Sequence, residues 1–165
     1  MTTLETARLT IRPLETSDLD AFFAITGDRD AMRLMDDGQP LTRERTEEWI
    51  RVSQRNYALH SRGCMAVLER ETGAFVGFCG LVLGSDQTRI ELIYAFHPSA
   101  WGRGYATESA RAMLEYGATL MDTMYATVYP QNTASLHVLE KLGFQQTHIA
   151  DDGVVHFAFT ARGQA

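Results

Sequence analysis

The chain lacks the features that mark membrane, secreted and metal-binding proteins. Among its 165 residues there is no apolar run long enough to cross a membrane. The N-terminus alternates polar and apolar residues and has no signal-peptide core. The five histidines are scattered and no residues near them have metal-ligand spacing, so no metal site is expected. These absences predict a cytoplasmic protein without a membrane partner.

Cysteine is also scarce, with only Cys64 and Cys79. If Glu69 pairs with Ala74 across a turn formed by residues 70–73, Cys64 falls opposite Cys79 in a hairpin, and a disulfide is conceivable. The cytosol keeps thiols reduced, so two free strand cysteines are the favoured interpretation.

Composition indicates one folded domain, predicted over residues 1–165. Hydrophobic residues make up 45% of the chain, which is enough for a full core. The formal net charge of −6 argues against a nucleic-acid partner. An acidic protein suits a cationic partner such as an amine, although many cytosolic proteins are acidic.

Hydrophobic periodicity and capping residues predict strands and helices mixed along the chain. Strands are expected over 8–13, 64–69, 74–83, 89–96, 125–129, 145–150 and 154–160. Helices are expected from Thr16 or Ser17 to Gly27, from Thr42 to about Ser61, over 104–121 and over 132–142, with one turn near Met32. Hairpins at both ends predict an α/β domain with a mixed, mostly antiparallel sheet and about four helices.

The most informative stretch is Trp-Gly-Arg-Gly-Tyr-Ala-Thr-Glu, residues 101–108, between a predicted strand and a predicted helix. Glycines let a ligand approach the backbone, and the first amides of a helix lack partners and favour anions. Phosphate is the usual ligand of such a site, which predicts a bound pyrophosphate. The spacing fits neither a nucleoside triphosphatase loop nor a dinucleotide fold. Taken alone, the stretch also fits a simple strand-to-helix turn.

A second motif lies at residues 132–144, where Asn132 has the position of a helix cap and Gly143 that of a helix C-terminal residue. Together with the stretch at 101–108 and the opening Leu-Glu-Thr-Ala-Arg-Leu-Thr-Ile-Arg-Pro at 4–13, this motif resembles the GNAT superfamily of acetyl-CoA-dependent N-acetyltransferases. The resemblance is greatest to the Rim-type branch of ribosomal-protein N-terminal acetyltransferases. It implies a single GNAT fold, acetyl-CoA as co-substrate and an amine acceptor.

The resemblance also implies which residues hold the cofactor. The backbone of the strand before the loop would bind the pantetheine arm, at Tyr94, Ala95 and Phe96. The pyrophosphate would lie on the loop and first helical turn, formed by Gly102, Arg103, Gly104, Tyr105, Ala106 and Thr107. Asn132 would cap its helix and also bond to pantetheine. Trp101 stands where many members of the family have Gln or Arg, which makes a side-chain contact there doubtful.

Two catalytic residues follow from the same resemblance. Glu91 lies on the central strand where similar proteins carry an acid, and it is the candidate base that removes a proton from the amine, directly or through water. Its alternative role is that of a solvent-facing strand residue. Many relatives protonate the leaving thiolate with a tyrosine at the position of Leu139 here. Ser135, one turn earlier on the same helix face, is the substitute we expect, with simple packing as its alternative.

The acceptor is the least determined part of the prediction. A peptide N-terminus is favoured, with a small amine such as a polyamine, an amino-acid derivative or an antibiotic as the alternative. Trp49, Tyr57 and Met35 are candidates for an acceptor pocket, although aromatic residues at this spacing are more often core. A non-catalytic acyl-CoA-binding domain and a transferase of longer acyl groups remain open, as do a monomer and a homodimer.

Overall fold

Residues 2–161 are described by a computed structural model, which contains one eight-stranded sheet with helices on both faces. The strands are β1 Leu4–Glu5, β2 Leu9–Pro13, β3 Cys64–Glu69, β4 Phe75–Leu83, β5 Ile90–Phe96, β6 Thr123–Val128, β7 Gln145–Ile149 and β8 Val155–Thr160. The helices are α1 Leu19–Thr26, α2 Arg29–Met32, α3 Arg43–His60, α4 Tyr105–Gly117 and α5 Thr133–Leu142. No helix within residues 2–161 is long and apolar enough to span a membrane.

The sheet has the order β1-β2-β3-β4-β5-β6-β8-β7, and every neighbouring pair is antiparallel except β5 and β6. The predicted mixed, mostly antiparallel sheet is therefore confirmed. Strand β1 was not predicted, because two residues are too short to show an alternating pattern.

Local capping chemistry sets most helix ends. The Thr42 hydroxyl accepts from the backbone N–H of Arg45, and the Asn132 side chain accepts from that of Ser135. Gly143 ends α5 in the left-handed conformation, with φ of +88°. The prediction that the helix after the loop continues to residue 121 is wrong. It ends at Gly117, whose carbonyl accepts from two N–H groups further along in a tight terminal turn.

Alternate residues of the strands face two separate cores. The α4/α5 core lies on one face of the sheet and contains residues such as Leu92, Met124 and Leu139. The α1/α3 core lies on the other face and is centred on Phe22, Ile50 and Phe78. The ring of Phe22 meets that of Phe78 edge-on at 5.4 Å, which locks α1 onto β4.

The register of the β3–β4 hairpin decides the cysteine question. The N–H of Glu69 donates to the carbonyl of Ala74 at 2.9 Å, as expected. A bulge then shifts the register, so that Met65 and not Cys64 lies opposite Cys79. Cys64 consequently faces the α1/α3 core and Cys79 the α4/α5 core. A disulfide between them is excluded, and both cysteines are free.

Strands β5 and β6 pair at one point only, Glu91 with Tyr125. Among the described residues, no ladder joins β5 to β6 from Leu92 onward. The edge of β5 that faces β6 is therefore open toward its C-terminal end. We call this opening between the two strands the β5–β6 gap.

Candidate functional site

The loop after β5 presents backbone N–H groups to solvent at the start of α4. Gly102 and Gly104 have φ of +75° and +78°, a conformation that other residues adopt at a cost. The first N–H with an acceptor is that of Glu108, which donates to the carbonyl of Gly104 at 3.1 Å. In the described chain, the six preceding amides from Gly102 to Thr107 donate to no protein acceptor. They form a nest that suits a phosphate.

Space in front of this nest is open. A Cβ placed on Gly102 would meet no atom within 4 Å, and one placed on Gly104 would meet only the Arg8 guanidinium, at 3.4 Å. An anion can therefore approach the backbone at Gly102 without displacing protein atoms.

Arg8 holds this loop in place, and the sequence patterns had assigned it no role. Its guanidinium donates to the carbonyl of Arg103 at 2.7 Å and to the Glu108 carboxylate at 2.7 Å. The guanidinium also lies 4.8 Å from the centre of the Tyr105 ring. The Thr6 hydroxyl donates to the same carboxylate at 2.6 Å. Spacing could not reveal this contact, because Arg8 and Glu108 are 100 residues apart.

The Arg103 side chain is paired within the protein. Its guanidinium lies 2.8 Å from a carboxylate oxygen of Glu69, which also accepts from the Tyr105 hydroxyl at 3.0 Å. Hydrogen bonds from Thr72 and Tyr105, together with the charge of Arg103, outweigh desolvation and lower the pKa of Glu69. A side-chain contact from Arg103 to a phosphate stays a prediction, and it requires this exposed pair to open.

Trp101 fixes the other end of the loop. Its indole N–H donates to the carbonyl of Phe96 at 3.0 Å, at the last residue of β5. The residue thus ties the loop to the strand that borders the gap, although its ring is half exposed. A side-chain contact from Trp101 to a ligand was doubtful from the sequence, and the indole N–H is instead used within the protein.

The start of α5 brings three predicted residues together. The Tyr94 and Ser135 hydroxyl oxygens lie 2.6 Å apart, which joins β5 to α5 beside the gap. Asn132 caps the same helix end. Burial raises the pKa of Tyr94 to about 12, although the hydrogen bond with Ser135 lowers it in part. Leu139 is 1% exposed and belongs to the α4/α5 core, and its hydrocarbon side chain has no proton to donate.

Glu91 does not meet Ser135, because the two lie on opposite faces of the sheet. Side chains alternate along β5, so that Tyr94 packs on the α4/α5 core while Ile93 and Ala95 pack on the α1/α3 core. Glu91 shares the face of Ile93, at the closed end of the gap. Its carboxyl group lies against Gly84, where a Cβ would come within 2.5 Å. Burial, and then the charge of Asp86, raise the pKa of Glu91, while Arg89 opposes them.

A polar sheet surface continues from Glu91 across β6 and β8. The Arg89 guanidinium lies 4.8 Å from the centre of the Tyr125 ring. The His148 and His156 rings stack at 4.3 Å. Burial, with the charges of His148 and Arg89, lowers the pKa of His156. The scattered histidines of the sequence are thus partly brought together, although no cluster within residues 2–161 has the make-up of a metal site.

The candidates for an acceptor pocket separate in the structure. Met35 and Trp49 line a groove of about 310 Å³ between α2 and α3, on the Glu91 side of the sheet. Tyr57 lies in the α4/α5 core, where its hydroxyl donates to the Met65 sulfur at 3.1 Å. Tyr57 therefore does not line this groove, and it has the core position that we regarded as the more frequent one for aromatic residues at this spacing.

Comparison with known proteins is consistent with this geometry. Residues 8–145 match the sequence profile of the acetyltransferase (GNAT) domain. YkkB of Bacillus subtilis is 35% identical over 86% of this chain and 84% of its own length. YoaA, named an N-acetyltransferase of the same organism, is 32% identical over 87% of this chain and 82% of its own. An acetyltransferase structure from Agrobacterium tumefaciens superimposes with a TM-score of 0.84 at 26% identity, covering 96% of this chain and 94% of that one.

The assignment to the Rim-type branch is not confirmed. The structure of RimL, a ribosomal L7/L12 α-N-protein acetyltransferase in complex with coenzyme A, has a TM-score of 0.81 but only 14% identity. The superposition covers 96% of this chain and 98% of the RimL chain. Acetyltransferase structures from Bacillus anthracis and Agrobacterium tumefaciens, at 25% and 26% identity, have TM-scores of 0.80 and 0.84. The likeness to RimL therefore establishes the fold and no more.

We expect Glu91 to reduce stability at neutral pH. A carboxyl group with a raised folded pKa costs stability above its unfolded pKa, near 4.3, and the cost disappears as pH falls below that value. Glu91→Gln should therefore be more stable than wild type at about pH 7, with the difference vanishing near pH 3.5. Urea unfolding at both pH values measures this.

Glu108→Gln is the matched control with the opposite sign. Hydrogen bonds from Thr6 and Arg8 outweigh the desolvation of Glu108 and lower its pKa. This variant should lose stability at neutral pH and approach wild type on acidification. A Glu91→Gln protein that is less stable than wild type at pH 7 would contradict the raised pKa of Glu91.

Proposed function

Because the chain belongs to the GNAT acetyltransferase family, we propose that it transfers the acetyl group of acetyl-CoA to a primary amine, with a peptide N-terminus as the favoured acceptor. The observation that carries the proposal is the amide nest from Gly102 to Thr107, which lies at the mouth of the β5–β6 gap. A cytoplasmic location remains part of the prediction.

The residues around the gap fit the chemistry of acetyl-CoA. Six unpaired amides and the dipole of α4 would bind the pyrophosphate, with Gly102 leaving room for it. The open edge of β5 near Tyr94 and Ala95 offers backbone groups for the amides of the pantetheine arm. The carbonyl oxygen of Phe96 already accepts a hydrogen bond from Trp101. It could therefore accept from the pantetheine arm only through its second lone pair.

The two faces of the sheet carry the groups for two parts of the reaction, deprotonation of the amine and departure of the thiolate. The amine nitrogen attacks the thioester carbonyl, a C–N bond forms, the C–S bond breaks, and its electron pair passes to sulfur. Glu91 takes the proton lost by the amine, directly or through water, on the face that carries the polar surface. Its raised pKa favours this role, because a base acts best when its pKa is near the working pH. On the other face, the Ser135 hydroxyl donates a hydrogen bond to the developing thiolate.

The pKa of the acceptor supports an α-amine over a lysine side chain. An α-amine has a pKa near 8 and is partly neutral at neutral pH, whereas a lysine amine near 10.4 is almost wholly protonated. Each pKa unit adds about 1.36 kcal/mol to the cost of deprotonation. A small amine with a lowered pKa meets the same requirement and is the alternative acceptor.

The buried Leu139 supports a second candidate, a domain that binds acyl-CoA without catalysis. Incubation with acetyl-CoA and a panel of amines, followed by thiol release, separates a transferase from a binding domain. Substitution of succinyl-CoA and longer thioesters in the same assay tests whether another acyl group is preferred.

Gly102→Ala should weaken acetyl-CoA binding at least about tenfold, or about 1.4 kcal/mol, because the new Cβ enters the space of the pyrophosphate. Gly73→Ala is the matched control. Gly73 has φ of +72° and open space around it, but it lies in the β3–β4 turn. Calorimetric titration should show loss of affinity in the first variant only. Equal affinities in the two variants would remove the loop from the cofactor site.

Glu91→Gln should lower turnover roughly 10²-fold and leave acetyl-CoA affinity intact, since glutamine keeps the shape and lacks the basicity. Steady-state rates and cofactor titration on one preparation measure both quantities. A fully active variant would return Glu91 to a structural role.

A peptide with a free N-terminus should be acetylated faster than the same peptide blocked there and carrying a free lysine. Mass spectrometry of both products measures the ratio. Faster reaction of the blocked peptide, or reaction of a small amine alone, would refute the peptide N-terminus as acceptor.

A further inference from the structure

We infer that Tyr94 is a positioning residue that holds the Ser135 hydroxyl so that its proton points into the β5–β6 gap. The inference rests on the proposed acetyl transfer and extends it. Many relatives have a tyrosine hydroxyl at the position of Leu139, and here the hydroxyl groups of Tyr94 and Ser135 together would take its place. Tyr94 comes from β5 and Ser135 from α5, so the pair exists only in the folded chain.

The contact itself limits where the protons lie. Two hydroxyl oxygens 2.6 Å apart share one proton between them, and the second proton is left for another acceptor. Either hydroxyl can donate in this contact. A phenol is a stronger hydrogen-bond donor than an aliphatic alcohol, so we assign the donor role to the neutral Tyr94 and the acceptor role to Ser135. The serine proton is then free, and its donor strength increases because its oxygen already accepts a bond.

Without Tyr94, the serine has a competing partner. A serine in the first turns of a helix readily donates to a backbone carbonyl three or four residues earlier, which would turn its proton away from the gap. The backbone N–H of Ser135 is already bound to the Asn132 side chain at 3.1 Å, so the main chain at this point is fixed. Only the hydroxyl torsion remains to be set, and Tyr94 is placed to set it.

Two further features suit a developing negative charge on sulfur. Ser135 is the third residue of the ten-residue helix α5, whose N-terminal dipole favours an anion. Burial keeps Tyr94 protonated, with a pKa of about 12, so it stays a donor across the working pH range. When the C–S bond breaks, its electrons pass to sulfur, and the thiolate receives a hydrogen bond from Ser135. Neither hydroxyl is ionised, and the thiolate takes its proton later from solvent.

The test is a double-mutant cycle on single-turnover rates with saturating acetyl-CoA and an amine that wild type acetylates. Tyr94→Phe and Ser135→Ala should each lower the rate about tenfold, the effect of losing one hydrogen bond of about 1.4 kcal/mol. The double variant should be no slower than Ser135→Ala alone, because the two residues act as one unit. In all three variants, the affinity for acetyl-CoA and the urea midpoint of unfolding should stay near the wild-type values. If the two residues had only a structural role, the midpoint would fall together with the rate.

Two control variants complete the design. Tyr116→Phe removes a hydroxyl that donates to the Ser61 carbonyl away from the gap, and it should keep the wild-type rate. Ser135→Thr keeps a hydroxyl and should keep most of the rate while Tyr94 is present, but lose it in the Tyr94→Phe background.

The outcomes separate this inference from the proposed function. A wild-type rate in Tyr94→Phe, or additive losses in the double variant, would overturn the positioning role while acetyl transfer and Ser135 stand. A wild-type rate in Ser135→Ala would overturn both the inference and the role of Ser135. Absence of acetyl transfer by wild type from acetyl-CoA to any amine tested would refute the proposed function itself.

Discussion

The single parallel contact between β5 and β6 is the constraint on which the rest of the site depends. Parallel neighbours need a crossover connection, and here α4 provides it. Because the ladder stops at Glu91 and Tyr125, the edge of β5 stays open where the chain turns into α4. The amide nest at Gly102 therefore lies at the mouth of the gap, in the position where open sheets bind ligands beyond strand ends.

The same gap divides the chemistry between two environments. Tyr94 and Ser135 form a neutral hydroxyl pair against the α4/α5 core, whereas Glu91 lies half-buried on the opposite face with Asp86 and Arg89 nearby. In the proposed reaction, the donor to the leaving group and the base for the amine would therefore act from opposite faces of the sheet. Burial and the charge of Asp86 raise the pKa of Glu91, so the ionised carboxylate is less favourable in the folded protein than in water.

Support for the loop comes from far along the chain. Arg8, just before β2, donates hydrogen bonds to the carbonyl of Arg103 and to the carboxylate of Glu108. The indole of Trp101 donates to the carbonyl of Phe96 at the end of β5. The Arg103 carbonyl that Arg8 holds lies between Gly102 and Gly104, the two residues in the left-handed conformation. A loop that its own protein contacts order in this way has a lower ordering cost on binding.

Local patterns were sufficient for most of the secondary elements and for the glycine-bearing turn before α4, whereas the two-residue strand β1 and the end of α4 escaped them. The caps Thr42, Asn132 and Gly143 act through neighbours within four residues, so the sequence alone places them. The tertiary structure alone decided which distant groups meet. A one-residue bulge put Cys64 and Cys79 on opposite faces, strand alternation separated Glu91 from Ser135, and packing of α5 on β5 joined Tyr94 to Ser135. Such contacts depend on register and packing between elements, which spacing along the chain does not encode.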